Sequence, residues 1–249
     1  MSEKTNARSN PTDTGRFATT HWTVVLAAGD SSSPEHEQAL NGLCQAYWFP
    51  LYAYLRRCGH GSHEAEDFTQ GFFTKILERV GLRQADPTRG KFRSFLLASL
   101  KNFLADQHKH AAAQKRGGPR EVISLNIDVA EKRYTREPDL CLSPERLFEK
   151  SWALTVLKQA MNRLKAEYET EDKRQLFNHL KVYLTIGRKA VTYKEVAAKL
   201  ALTEGAVKVA VLRLRRRYGD LVRDEIAQTV STAAQVDEEV RDLFAALAN

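Results

Sequence analysis

Thr192 to Arg217 reads TYKEVAAKLALTEGAVKVAVLRLRRR, and the rest of the chain is best read outward from it. Val196, Ala197 and Leu200 recur at helical spacing, and so do Val207, Val211 and Leu214, which predicts two short amphipathic helices. Ala201 to Thr203 lie between them. Thr203 stands directly before the second apolar run, where its hydroxyl can accept a backbone N–H that the first helical turn leaves unpaired. Two helices around a three-residue turn form the pattern of a helix-turn-helix, whose second helix lies in the major groove of DNA.

The second helix carries Lys208 near its start and ends in Arg213, Arg215, Arg216 and Arg217. Cations there can neutralise phosphates, and they also suit the negative end of the helix dipole. Taken alone, the arginine run would fit a solvated helix end equally well. Combined with the hinge and the paired stripes, it favours DNA binding.

The chain has 249 residues, 43% of them hydrophobic, enough for one large core or two ordinary ones. Its formal net charge of +7 favours a polyanionic partner. No run approaches the roughly 18 to 20 apolar residues of a membrane span, and the N-terminus is polar rather than signal-like. A cytoplasmic protein with no membrane segment is expected. Cys44, Cys58 and Cys141 are odd in number and far apart, which suits reduced thiols. Cys58, His60 and His63 stand close together but lack a fourth ligand and a recognisable zinc spacing. Neither metal nor cofactor is expected.

Residues 1–16, rich in polar side chains without apolar periodicity, predict a disordered tail. Residues 17–118 form a first helical domain. Within it, Phe17, Trp22, Val24, Val25 and Leu26 suggest a short capping helix, and Leu40 to Leu55 recur at helical spacing with Pro50 predicting a kink or break near Phe49. After the Gly59–Gly61 loop, Ser62 should cap a helix over roughly 62–80. Ala65, Phe68, Phe72, Ile76 and Val80 give it an apolar stripe; Asp67, Gln70, Gly71, Thr74 and Glu78 line the opposite side. The acidic side raises a carboxylate active site, but no His, Lys or metal-ligand partner sits at matching spacing. Phe92 to Leu104 predict a buried helix that turns basic through Lys101, Lys109, Lys115, Arg116 and Arg120, a combination suited to single-stranded nucleic acid. Residues 119–142 read as a flexible linker, long enough to span up to about 80 Å. Ser143-Pro144-Glu145 opens a second helical domain, 143–230, that contains the quoted stretch. A C-terminal amphipathic helix over 231–249 carries Val236, Val240, Leu243, Phe244 and Leu247. The expected fold is thus all-α, two helical domains joined by a linker.

Taken together, residues 35–120 and 145–225 resemble a bacterial RNA polymerase sigma factor of the sigma-70 family, extracytoplasmic-function class. AEDFTQGFF is similar to the family's acidic polymerase-binding helix at Asp67 and Gln70. FRSFLLASLKNFLAD follows its strand-melting pattern at Phe92, Arg93, Phe95, Leu96, Lys101, Asn102 and Asp106. TYKEVAAKLALTEGAVKVAVLRLRRR looks like its region-four helix-turn-helix, with Tyr193, Glu195, Ala197, Leu200, Gly205, Val207, Lys208, Arg213 and Arg215 in place. Gly71 stands where the family usually has Glu, and Val209, Ala210 and Leu212 where it commonly has polar or basic residues. The resemblance implies a transcription initiation factor without covalent chemistry. Core RNA polymerase would bind Asp67, Gln70, Thr74 and Glu78. The minus-ten strand of promoter DNA would face Lys101, Asn102, Asp106 and Lys109. The minus-35 element would meet Thr203, Glu204, Lys208, Arg213, Arg215 and Arg216. An anti-sigma factor or other regulator is a further partner in keeping with the resemblance, and the C-terminal helix is either an intramolecular brake or part of the second core. A polymerase-independent helix-turn-helix regulator is the alternative reading, and a nucleic-acid enzyme a distant third.

Overall fold

Helical periodicity carries through into helices along the chain. The computed structural model describes residues 23–30, 32–77, 82, 90–113, 127–136, 142–169, 171–184 and 191–248. Among these residues it contains ten α-helices, one short 3-10 helix and no strand. They are α1 (Thr23–Gly29), α2 (His36–Arg57), α3 (Ser62–Leu77), α4 (Phe92–Ala113), α5 (Ile127–Arg136), α6 (Pro144–Ala166), α7 (Glu171–Leu180), the 3-10 turn Lys181–Leu184, α8 (Tyr193–Leu200), α9 (Glu204–Ala227) and α10 (Ala233–Ala248). No described helix is long and apolar enough to cross a membrane.

α2 is the centre. The expected break near Phe49 does not occur, and the helix runs on through Pro50. Proline removes one backbone donor, but Tyr47 to Leu55 are buried without interruption, so tertiary packing holds helical a segment that local preference would break. The most extensive contact of α2 is with α6, and α1 and α3 flank it. Helices on both sides of residues 119–142 therefore share one buried cluster, running from Val25 through Tyr52, Phe72, Phe92, Phe148 and Leu214 to Leu243.

Within the stretch read as a linker, residues 127–136 form α5. Its apolar content is low, and charge and polar contacts hold it in place. Arg56 donates to the Glu131 carboxylate at 2.7 Å, Tyr52 donates to the same group, and the Arg133 guanidinium lies 3.6 Å from the centre of the Phe49 ring. Arg133 also donates to the Thr155 hydroxyl on α6 at 3.2 Å. Ile127, Ala130 and Tyr134 do fall at helical spacing, with Ala130 buried and Tyr134 packed on the core, but three apolar positions in a polar stretch are too sparse a stripe to stand out in the sequence.

α10 packs on α6 and α9, and a charge cluster built around the buried Arg93 and Glu239 fixes it. Arg93, 6% exposed at the start of α4, donates to Glu239 at 2.9 Å and to Asp242 at 2.6 Å; it also pairs with Glu149 on α6 and lies 4.6 Å from the Trp152 ring centre. Lys91 joins from the other side, pairing with Asp242 and, at 3.3 Å, with Glu238. Glu239 is only 3% exposed. Burial pushes the Glu239 and Glu149 carboxyls up from their ordinary range, against the pull of Arg93. A buried arginine is tolerable only with such partners, because an unpaired interior charge costs several kcal/mol, about 3–5 when one member of a pair is removed.

Candidate nucleic-acid interface

α8 and α9 are set by their caps. Thr192 accepts the Glu195 N–H at 3.3 Å while the Glu195 carboxylate accepts the Thr192 N–H at 3.3 Å, a reciprocal box that fixes the start of α8. Ala201 then adopts a left-handed backbone, φ 54° and ψ 38°, and the Leu202 N–H donates to the Ala197 carbonyl at 3.0 Å. Thr203 caps α9 as its place in the sequence predicts, its hydroxyl accepting the Ala206 N–H at 3.1 Å. Val207, Val211 and Leu214 face inward and are buried, and α9 continues unbroken to Ala227.

The opposite face of α9 is an exposed stripe. Gly205, Lys208, Val209, Leu212, Arg213 and Arg216 recur at three- and four-residue steps and therefore share one side of the helix. Val209 is 48% exposed and Leu212 68%, and Leu202 in the preceding turn is 44% exposed. Lys208 pairs with Glu204 at 2.8 Å and sits 5.7 Å from the Tyr193 ring centre. Their hydrogen bond holds the Lys208 ammonium above its ordinary range and the Glu204 carboxyl below its own. Arg213 and Arg216 are exposed and form no ion pair among the described residues. Lys194 and Lys199 on α8 add exposed cations that the arginine run does not point to, although both lie in the same stretch of sequence.

Two arginines of the run have other work. Arg215 donates through Nε and Nη2 to the Tyr183 carbonyl at 3.2 and 3.0 Å, tying α9 to the 3-10 turn. Arg217 meets Glu167 at the end of α6, with Nε at 3.0 and 2.9 Å from the two carboxylate oxygens. All four are exposed, and the run thus divides into arginines bonded to another part of the fold and arginines that form no ion pair among the described residues, a distinction sequence spacing alone does not make.

The other candidate residues lie on α3 and α4. Asp67 is exposed, Gln70 is half-buried and donates to Glu66 at 3.1 Å, and the Thr74 hydroxyl donates to the Gln70 carbonyl at 3.0 Å. Glu78 lies outside the described residues. On α4, Asn102 and Lys109 are exposed. Lys101 pairs with Glu145 at 2.8 Å, and Asp106 with Lys75 of α3 at 3.3 Å. The Lys75–Asp106 pair brings the polar faces of α3 and α4 together, whereas α8 and α9 form a separate surface with α7 behind them.

Among the described residues no group of His, Cys, Asp and Glu is placed to hold a metal ion. Cys44 is buried and its thiol is pushed up to about 11 by burial, leaving it neutral and unreactive. His60 is taken up by Glu64 at 3.0 Å and by the Phe68 ring edge at a centroid distance of 5.1 Å. An open cleft lined by Gln38, Asn41, Gln45, Gln159, Asn162 and Gln228 mixes amides with both signs of charge and contains none of the candidate residues. Comparison with protein-family models, with curated proteins and with solved structures finds no match for this chain.

Proposed function

We propose that the protein is a sigma factor: it binds core RNA polymerase through α3 and promoter DNA through α4 and α9. The observation that supports this best is the outward face of α9, where Lys208, Arg213 and Arg216 stand on one exposed stripe of a helix whose other side is core. In this reading α8, the Ala201–Thr203 turn and α9 act as a helix-turn-helix on the minus-35 element. Asn102 and Lys109, with Lys101 and Asp106 once these leave their ion pairs, face the minus-ten strand. Asp67, Gln70, Thr74 and Glu78 meet the polymerase. Residues 17–118 and 143–230 are the two functional units, acting in the cytoplasm by binding alone, without covalent chemistry.

The DNA half of the proposal is tested by the salt dependence of binding to promoter-rich duplex DNA. Neutralising about five phosphates gives a log-log slope near −4.5. Replacing both Arg213 and Arg216 by Ala should make the slope shallower by about 1.8, two phosphates' worth. A wild-type slope near zero would end the electrostatic argument.

A polymerase-independent regulator is the second reading. It is favoured by the occupation of Lys101 and Asp106 by Glu145 and Lys75 in the free protein. Both readings share the α9 surface and differ at Asp67.

A further inference from the structure

We propose that Val209 and Leu212 read thymine methyl groups, so that the DNA lying on α9 carries thymines opposite these two side chains. This rests on the DNA-binding reading of α9. Both residues stand in the open, 48% and 68% exposed, in the middle of a face that also carries Gly205, Lys208 with its partner Glu204, and the cations Arg213 and Arg216. The cations complement a polyanion, and the apolar pair marks what lies between its phosphates. In the major groove each base pair shows hydrogen-bonding atoms, and thymine alone among the four bases adds an apolar group, its C5-methyl. Neither Val nor Leu can donate or accept a hydrogen bond. Placed against guanine or cytosine edges they would strip water from polar atoms and return nothing, which discriminates against those bases. Three residues of helix rise about 4.5 Å, close to the roughly 3.4 Å step between base pairs, so the pair spans neighbouring positions.

The test uses the full chain with bacterial core polymerase. Duplexes are selected from a random-sequence pool and resynthesised with deoxyuridine in place of thymidine at one position at a time. Uracil keeps every hydrogen-bonding group and loses only the methyl. One or two adjacent positions should weaken binding about fourfold each, the value of one buried carbon group. A Val209→Ala, Leu212→Ala variant should bind the thymine duplex correspondingly less well and no longer distinguish uracil there. Its helical circular dichroism should match the wild type, since both side chains are exposed. Equal binding of thymine and uracil duplexes by the wild type overturns the inference and leaves the DNA reading standing, as does a variant that still senses uracil. Recovery of no duplex at all overturns the DNA reading itself, and this inference with it.

Discussion

At the residue scale, Arg93 is the one buried cation among the described residues, and three carboxylates from two helices converge on it. Removing the hub leaves the buried Glu239 with only Lys91, 3.8 Å away, and takes from Glu149 its arginine partner, whereas removing Glu239 leaves Arg93 with two carboxylates. Arg93→Ala should therefore cost about 3–5 kcal/mol and Glu239→Ala about 2, read from urea unfolding midpoints; the reverse order would contradict this account of the cluster. Glu131 and Glu239 should also respond to pH with opposite signs. Bonds from Arg56 hold the Glu131 carboxyl below its ordinary range, although burial pushes the other way. Its contribution to stability is present above the unfolded carboxylate value of about 4.3 and is lost as pH falls through the folded value. The Glu239 carboxyl is pushed up by burial, so its contribution is full below about 4.3 and is lost as pH rises through the folded value. Unfolding measured across a pH series should show Glu131→Gln flattening the loss of stability on acidification below about pH 4.3, and Glu239→Gln steepening it just above.

At the scale of elements, α10 completes the core. Leu243 is fully buried, Glu239 and Asp242 hold Arg93, and α10 meets α9 beside Arg223, which pairs with Asp237 at 2.6 Å. The Lys208–Arg216 stripe stays exposed with α10 in place. Ending the chain before Val236 should consequently cost more than about 5 kcal/mol, a large part of an ordinary domain's stability, and leave DNA affinity no higher. A truncated protein with an unchanged thermal melt and tighter DNA binding would make α10 a brake instead. Helices whose apolar side chains repeat regularly are legible in the amino-acid order, and so are the caps at Thr203 and Ser143, because periodicity and capping chemistry are local. α5 is not, since Glu131 and Arg133 find partners about 75 and 22 residues away. Continuity through Pro50 is hidden for the same reason: only the packing around Tyr47–Leu55 overrules the proline. Of the candidate interface, the basic helix is legible as a whole, and the split of its arginines is not. Arg215 is engaged by the Tyr183 backbone carbonyl while remaining exposed, and a carbonyl has no sequence signature.

For the whole molecule, the central claim is that two surfaces on one helical frame serve two partners. Asp67 on α3 is exposed and without an ion pair among the described residues, and the α9 stripe lies on a separate surface. A DNA-binding regulator needs only the second surface; a sigma factor needs both. The measurement that separates them is gel filtration of the full chain mixed with bacterial core RNA polymerase, with Asp67→Arg alongside. Asp67 is exposed, so the substitution should leave the fold intact and reverse the charge offered to the polymerase. Co-elution of the wild type and its loss in the variant is the expected result. A folded wild-type protein that elutes apart from the polymerase would contradict the account.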